Sequence, residues 1–284
     1  MIHNENEGGA VWWDQKWSAS DGILKEISLK KLISPGIFRV LLFRDLKVSY
    51  RQTLLGPLWF VLKPVLTALT FYFLFALLGR ADGLNSFLFF LSGIVMWMFF
   101  SETLNRLSDS ILTNINLLSK VYFPRITIHT AIVAFGLFTA VIQTLLLLCL
   151  LGFLSVFHDF QFSFSVFLFP IPLLMTSLLL IGMGLLFSSL TVHVRDLRYV
   201  IGFLLQLLMF LSSVFFPVNS QQGILKIVIA LNPMSGSIEL FRYALLGTEF
   251  SWMAVTASFV YIFFFLIVGF LVFRSVEENI ADVV

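Results

Sequence analysis

Long apolar stretches separated by short polar segments dominate the hydrophobic pattern of this chain. Residues 160–192 contain no Asp, Glu, Lys or Arg, and comparable stretches recur along the sequence. A bilayer requires about 20 apolar residues for each helical span, whereas a soluble core has no such requirement. Lipid cannot form hydrogen bonds with backbone N–H and C=O groups. This favours helices, in which these groups bond to one another. The pattern therefore predicts an all-α integral membrane protein.

Six transmembrane helices are predicted from the apolar stretches between charged residues. They cover residues 57–78, 84–101, 126–153, 167–192, 199–216 and 252–273. The first is interrupted only by Lys63, whose long side chain can reach the headgroups. The fifth is short for a span. Six spans put both termini on the same side of the membrane.

Basic residues decide which side that is. All but three of the 18 Lys and Arg residues lie on the side of the N-terminus, and the exceptions are Arg80, Lys226 and Arg242. Cytoplasmic loops carry the excess of Lys and Arg, so both termini are predicted to be cytoplasmic. Because the basic residues follow the topology, the net charge of +2 gives no reason to expect nucleic acid as a partner.

A polar arm, residues 1–50, precedes the predicted six-span domain, residues 51–284. Apolar residues recur in the arm near helical spacing, as at Ile23, Leu24 and Ile27, with basic residues among them. A Ser-Pro-Gly break divides the arm into two pieces. This predicts an amphipathic helix at the inner interface, with its basic face towards membrane lipid. A docking surface for a cytoplasmic partner is the alternative.

The longest inner loop lies between the second and third spans. Glu102 and Arg106 are spaced for an i,i+4 pair at the end of the second span. The stretch 114–120 can form one or two helical turns before Pro124 stops them. A short helix projecting from the bundle suits a mechanical contact, and an ordinary connecting loop is the alternative.

The outer segment 217–251 is apolar but contains several polar residues. Asn232 and Pro233 suit the N-cap and the first position of a helix, and Gly247 suits the C-terminal stop. Two short helices, 222–231 and 233–246, are therefore expected.

Neither of these two helices is long enough to cross the bilayer. A re-entrant or interfacial helical hairpin at the outer face follows. Glu239 and Arg242, spaced i,i+3, would partly neutralise each other if they are buried there. The alternative is a solvated helix pair.

Catalytic and metal-binding patterns are missing from the sequence. No G-x-x-x-x-G-K-[ST], G-x-S-x-G or paired-carboxylate signal is present, and the four histidines lack metal-ligand spacing. His129 and His193, at span ends, are predicted to be interfacial. Gln143 and Gln206 are predicted to make interhelical hydrogen bonds. We therefore expect no catalytic, cofactor or metal site, and expect the energy for transport to come from another subunit.

Three stretches together resemble the membrane subunit of a type-2 ABC exporter, in the branch that moves bacterial surface polysaccharides. They are residues 44–59, residues 116–125, and the run 195–197 through 215–217 to 232–234 and 242–243. The likeness covers about residues 38–274.

This resemblance implies a homodimer with two copies of a cytoplasmic P-loop ATPase, which would bind ATP and magnesium. It also implies that the loop after the second span carries a helix that couples to the ATPase. By position, the coupling residues are Asn114, Asn116, Leu117, Leu118, Ser119 and Lys120. The outer hairpin would flank the exit of the conduit, with Asn232, Pro233, Glu239 and Arg242 as gate candidates.

Aromatic residues could line such a conduit, because aromatic faces stack on the C–H faces of sugars. The chain has 34 Phe, 6 Trp and 6 Tyr. The candidates lie in the second span: Phe89, Phe90, Trp97, Phe99 and Phe100. The alternative is that these rings simply face lipid.

The resulting expectation is a permease in the bacterial cytoplasmic (inner) membrane. It would export a lipid-linked polysaccharide, such as an O-antigen or a capsule, using the partner ATPase. Export of teichoic acid or of a smaller molecule remains open. From other classes, an integral-membrane glycolipid-modifying enzyme and a passive channel or scaffold remain alternatives.

Overall fold

The computed structural model describes residues 33–50, 58–81, 83–121, 123–157 and 164–283, and this part of the chain contains helices and no β-strand. The predicted all-α class is thus confirmed. In chain order the α-helices are α1 (Pro35–Tyr50), α2 (Trp59–Leu77), α3 (Gly83–Ser108), α4 (Ser110–Thr113), α5 (Ile115–Leu118), α6 (Ile126–Phe157), α7 (Pro170–His193), α8 (Leu197–Phe210), α9 (Gly223–Ala230), α10 (Ser235–Leu246) and α11 (Trp252–Val283). Short 3₁₀ helices at Phe164–Leu168 and Val218–Ser220 precede α7 and α9.

Proline and glycine set several helix boundaries. Pro35 and Pro170 begin α1 and α7, where the missing N–H of proline leaves no helical hydrogen bond unmade. Gly247 ends α10 with φ of 66°, in the left-handed region that glycine adopts without strain. The predicted stop at Gly247 is confirmed.

Helix α3 is the centre of the bundle. It packs against α2, α6, α7, α8 and α10, and most of its side chains beyond Leu88 are buried. The most extensive helix pair is α7 with α11. Their backbones meet at two glycines, because a Cβ added to Gly269 would lie 2.1 Å from the carbonyl oxygen of Gly182. Small residues allow this close approach between membrane helices.

Buried polar side chains connect the helices. Gln143 Nε2 on α6 donates to the carbonyl of Phe60 on α2 at 2.9 Å, so the predicted interhelical bond is confirmed. Gln206 is exposed on α8. His129 is fully buried among protein side chains near the start of α6, and its location at the membrane interface stays a prediction.

Five described helices are long and apolar enough to cross a membrane, which fits an integral membrane protein. The helix of the predicted fifth span is shorter than expected. It is α8, with 14 residues, about 21 Å long at 1.5 Å per residue. It ends early because the chain turns at residues 211–217, where the Ser212 hydroxyl donates to the carbonyl of Met209 at 2.7 Å. Helices α9 and α10 qualify as a sixth span only as a pair bent by 87°.

Helix α1 is the described part of the polar arm, and the first 32 residues lie outside the described chain. It packs against the start of α6, with Leu41 buried and the Ser34 N–H donating to Thr127 Oγ1 at 3.1 Å. Val40 and Phe43 remain exposed beside basic residues of the same helix. Such a mixed face suits a membrane interface, and the location of α1 at that interface stays a prediction, as does the domain boundary at residue 50.

Candidate functional site

Polar clusters occupy the two opposite ends of α3. One end holds the short helices α4 and α5, and is called the α4–α5 end. The other holds the bent pair α9 and α10 with the turn at residues 211–217, and is called the α9–α10 end. No group of three or more His, Cys, Asp or Glu residues in the described ranges could hold a metal ion. The two polar ends are the candidate sites.

The α4–α5 segment is fixed to the bundle through Asn114, the residue between the two short helices. The buried Asn114 amide donates to the carbonyl of Ser110 at 2.8 Å. Its Oδ1 accepts a hydrogen bond from Nη1 of Arg44 on α1 at 3.0 Å. The predicted one or two helical turns are present, and Asn114 holds them in place instead of facing a partner.

The two leucines of the predicted coupling helix are only half exposed. Leu117 and Leu118 pack against the core of the bundle. Asn116, Ser119 and Lys120 are exposed. The tertiary fold therefore uses one side of both leucines and leaves the other side partly exposed. The assignment of these residues to a coupling surface stays a prediction.

Ion pairs tie the neighbouring helices together at the α4–α5 end. Asp45 on α1 lies between two guanidinium groups, with Arg44 Nη2 at 3.1 Å and Arg106 of α3 on its other oxygen. Glu102 of α3 pairs with Lys63 of α2. The sequence predicted a local pair between Glu102 and Arg106, but each takes a partner on a different helix. These contacts join α1, α2 and α3.

At the α9–α10 end, a cavity of about 770 Å³ opens between α2, α3 and the turn at residues 211–217. Phenylalanine rings form much of its wall, and polar side chains lie among them. The lining residues are Phe75, Arg80, Asn85, Ser86, Leu88, Phe89, Phe90, Phe215, Phe216, Pro217, Ser220, Gln221, Leu246 and Thr248. The rings of Phe75 and Phe215 are stacked with centroids 6.0 Å apart. The cavity thus combines aromatic faces with amide and hydroxyl groups.

Only two of the five candidate conduit aromatics line this cavity, namely Phe89 and Phe90. Trp97, Phe99 and Phe100 are at most 4% exposed and belong to the packed core of the chain. Within one chain, the rings of these three residues fill the space between α3 and its neighbours, and their role in a conduit stays a prediction.

Asn232 holds the α9–α10 pair against the end of α8. Its side-chain nitrogen donates to the carbonyls of Leu208 and Leu211, at 3.0 and 3.3 Å. Its Oδ1 accepts the N–H of Met234 at 3.0 Å. Helix α10 begins at Ser235, so the prediction that Pro233 is its first residue is wrong by two positions. Asn232 thus caps the C-terminal carbonyls of α8 and also bonds to the backbone just before α10.

Glu239 binds the backbone on both sides of the α9–α10 pair. One carboxylate oxygen accepts the N–H of Val218 at 2.8 Å, and the other accepts the N–H of Ser251 at 2.7 Å. Glu239 is 3% exposed, so both hydrogen bonds are shielded from water. A single carboxylate fixes the chain just before α9 and just before α11.

Arg242 is fully buried and binds three backbone carbonyls. It donates to Ser213 and Val214 in the turn after α8, the latter at 2.7 Å, and to Phe89 in α3 at 3.1 Å. The guanidinium also lies 3.5 Å from the centroid of the Phe89 ring. Gly93 makes room for it, since a Cβ there would lie 2.3 Å from Nη2. Arg242 fastens the non-helical turn to the central helix.

The opposite charges of Glu239 and Arg242 interact, as predicted for buried positions, and the two residues also divide the contacts with the backbone between them. Glu239 accepts from two backbone N–H groups, and Arg242 donates to three carbonyls. Irregular backbone is tolerated at membrane depth only where protein or trapped water satisfies its polar groups. The two residues supply those partners, so they act first as supports of the fold around the cavity.

Comparison with known proteins assigns the chain to a family. The profile of the family described as ABC-2 type transporter matches residues 37–246, well over half of the chain. The chain belongs to the ABC-2 transporter family. The resemblance found in the sequence is thereby confirmed at the level of the family.

Two relatives align with most of this ABC-2 transporter chain. The O-antigen export system permease protein RfbA of Klebsiella pneumoniae is 24% identical over 246 residues, covering 84% of this chain and 92% of the relative. The protein of the same name from Myxococcus xanthus is 29% identical over 201 residues, covering 70% of this chain and 76% of the relative. The residues matched by the family, 37–246, include both polar ends described above.

Sequence reasoning missed the serines that complete the α9–α10 end of this ABC-2 transporter chain. Ser235 Oγ accepts the N–H of Ser213 at 3.0 Å. Ser258 Oγ on α11 accepts the N–H of Gly236 at 3.1 Å and donates to the carbonyl of Pro233 at 2.8 Å. The available signal was the presence of small polar residues within apolar helices, which often bond across helices in membranes.

Proposed function

We propose that this chain is the permease subunit of an ATP-driven exporter that moves a lipid-linked polysaccharide, an O-antigen or a capsule, across the bacterial cytoplasmic membrane. The observation that carries the proposal is the alignment with O-antigen export permeases over 92% of the Klebsiella protein's length. The match to the ABC-2 transporter family supports it independently. In this proposal both termini face the cytoplasm, because the basic residues lie on that side.

A separate ATPase supplies the energy. The sequence has no P-loop of its own, so ATP and magnesium bind to the partner subunit. The α4–α5 end is the docking surface, since short helices there present the exposed side chains of Asn116, Ser119 and Lys120. Asn114 bonds this segment to Arg44 of α1, and Asp45 of α1 pairs with Arg106 of α3. These contacts hold the segment rigidly enough to transmit a displacement.

The cavity at the α9–α10 end is the part of the export path that one chain contributes. Phenylalanine faces can stack on sugar rings without fixing the polymer at one position, and amide and hydroxyl groups can exchange hydrogen bonds with it. Phe89 and Phe90 are the conduit residues that the proposal keeps. The exposed apolar surfaces of α2 and α8 supply the contact for a second copy of the chain, which would close the path into a homodimer.

Deletion of the gene is the direct test of transport. We expect a surface glycan to be lost from the outer face and to accumulate inside the cell, while its synthesis continues. The chemistry of the accumulated polymer identifies the substrate, and teichoic acid would replace O-antigen or capsule in the assignment if it is the polymer that accumulates. Normal surface display of every glycan after deletion would overturn the proposal.

Substitution at α5 tests the docking surface. Ser119→Trp adds a bulky ring to an exposed position and should block the ATPase without disturbing the fold. Gln222→Trp, exposed at the α9–α10 end, is the matched control. We expect a P-loop ATPase to co-purify with the unmodified permease and with Gln222→Trp, and to be lost from Ser119→Trp. Equal recovery of the ATPase with both variants would remove α5 from the docking surface.

A further inference from the structure

A buried histidine without a role in the proposed function joins the α4–α5 segment to the bundle. His129 lies in the first turn of α6. Its Nε2 is 2.7 Å from Ser188 Oγ on α7 and 3.3 Å from Ser110 Oγ, at the first residue of α4. The ring also packs edge-on against Phe273 of α11, with centroids 5.2 Å apart. One side chain thereby connects four helices, one of which leads directly into α5.

The two hydroxyls compete for a single hydrogen-bonding position. Nε2 of imidazole carries either one N–H or one lone pair, so it makes one full hydrogen bond at a time. The shorter distance assigns that bond to Ser188. The Ser188 hydroxyl has a second acceptor, the carbonyl of Leu185 on its own helix at 3.2 Å. The Ser110 hydroxyl makes no hydrogen bond except to His129 within the described ranges.

These groups therefore have a second hydrogen-bonding arrangement available to them. If α4 moves towards the ring, Nε2 can bond to Ser110, and the Ser188 hydroxyl can turn to the carbonyl of Leu185. The two hydroxyls and the Nε2 of His129, which are completely or almost completely buried, then each have a partner, as buried polar groups generally do. The two arrangements differ by about one hydrogen bond. Such near-equivalence is what a two-state switching element requires.

We propose that His129 is a positioning residue that passes movement of the α4–α5 segment to α7 and α11, by exchanging its Nε2 hydrogen bond between Ser188 and Ser110. The inference rests on the proposed function, because it takes the ATPase to act on α5. Displacement of α5 moves α4, and the exchange of hydrogen bonds releases α7 from the ring. Because Phe273 packs on the same ring, α11 moves with it.

The test measures glycan exported per ATP hydrolysed, using the complete permease–ATPase complex reconstituted in liposomes. Ser110→Ala removes the hydroxyl that the second arrangement needs. We expect the ratio to fall about threefold to tenfold, the effect that one hydrogen bond has on an equilibrium, with unchanged complex yield. Ser177→Ala is the matched control, since Ser177 is also buried on α7 and bonds to the carbonyl of Leu173 at 2.8 Å, away from these groups. Its ratio should equal that of the unmodified complex.

Replacement of the ring separates the hydrogen bond from packing. His129→Phe keeps an aromatic contact with Phe273 but has no Nε2, and should lower the ratio to a similar extent. Adding Ser110→Ala to His129→Phe should have no further effect, because the two residues share one interaction. His129→Gln, which retains a polar group near the former Nε2, should recover part of the coupling.

Two results would overturn the role of His129: a Ser110→Ala complex that couples as well as Ser177→Ala, or independent losses in the double variant. If His129→Phe does not assemble, the comparison of the two serine variants decides alone. Failure of the unmodified complex to bind an ATPase or to export glycan would instead overturn the proposed function, and this inference with it.

Discussion

Removal of the Glu239 carboxylate should destabilise the α9–α10 end by several kilocalories per mole. In Glu239→Ala, the N–H groups of Val218 and Ser251 both lose their acceptor while they remain buried. Each buried donor without a partner costs about 1–3 kcal/mol, so the free energy of unfolding should fall by about 2–6 kcal/mol. Glu239→Gln keeps one carbonyl oxygen and should lose about half as much. Glu249→Ala, which removes an exposed carboxylate nearby, should change stability by less than about 0.5 kcal/mol.

Unfolding in mixed micelles of mild detergent and sodium dodecyl sulfate, followed by tryptophan fluorescence, measures these differences. The expected order of stability is unmodified chain and Glu249→Ala, then Glu239→Gln, then Glu239→Ala. The double variant Glu239→Ala/Arg242→Ala should be at least as unstable as the worse single variant, because the lost hydrogen bonds to separate backbone groups outweigh the attraction between the two charges. Equal stability of Glu239→Ala and Glu249→Ala would refute the support role. Recovery in the double variant would restore the paired-charge hypothesis.

Two further predictions concern packing and topology. Gly269→Ala should lower the free energy of unfolding by about 1–3 kcal/mol, because its Cβ would lie 2.1 Å from a carbonyl oxygen of α7; Gly202→Ala, where the nearest atom is 3.6 Å away, is the control and should be close to neutral. After Cys149 is replaced by Ala, a cysteine at position 221 in place of Gln221 should react with an impermeant thiol reagent from outside the cell. A cysteine in place of Ser119 should not, and labelling of that position from outside would reject the proposed orientation.

Local rules predicted helix boundaries better than contacts between helices. Gly247 was recognisable as a helix stop because its preference depends on its own backbone. The burial of Trp97 and Phe100 was not predictable in the same way, since a lipid-facing and a protein-facing aromatic are both apolar. Hydropathy therefore finds membrane helices without telling which of their faces meets protein.

The candidate polar sites differed from the predictions for a related reason. The i,i+3 spacing of Glu239 and Arg242 predicted a local pair, but the backbone broken at residues 211–217 and before α11 supplied other partners. Because those backbone groups are buried away from water, they need the charged side chains as hydrogen-bond partners. Leu117 and Leu118 likewise take part in tertiary packing that sequence spacing does not encode.

Glu239 and Arg242, which support the cavity, form their hydrogen bonds with backbone groups. This has a consequence for how the protein can evolve. Glu239 and Arg242 bind backbone groups at positions 218, 251, 213 and 214, whatever side chains those positions carry, except that proline at 218 or 251 would remove the N–H donor. Phe215 and Phe216, which line the cavity, directly follow residues 213 and 214. Phe216 is partly exposed, so its side chain can be replaced while the turn that presents it keeps its shape, whereas Phe215 is packed in the core. A descendant of this chain could thus adapt to a chemically different cargo by changing a few rings, without rebuilding the frame that carries them.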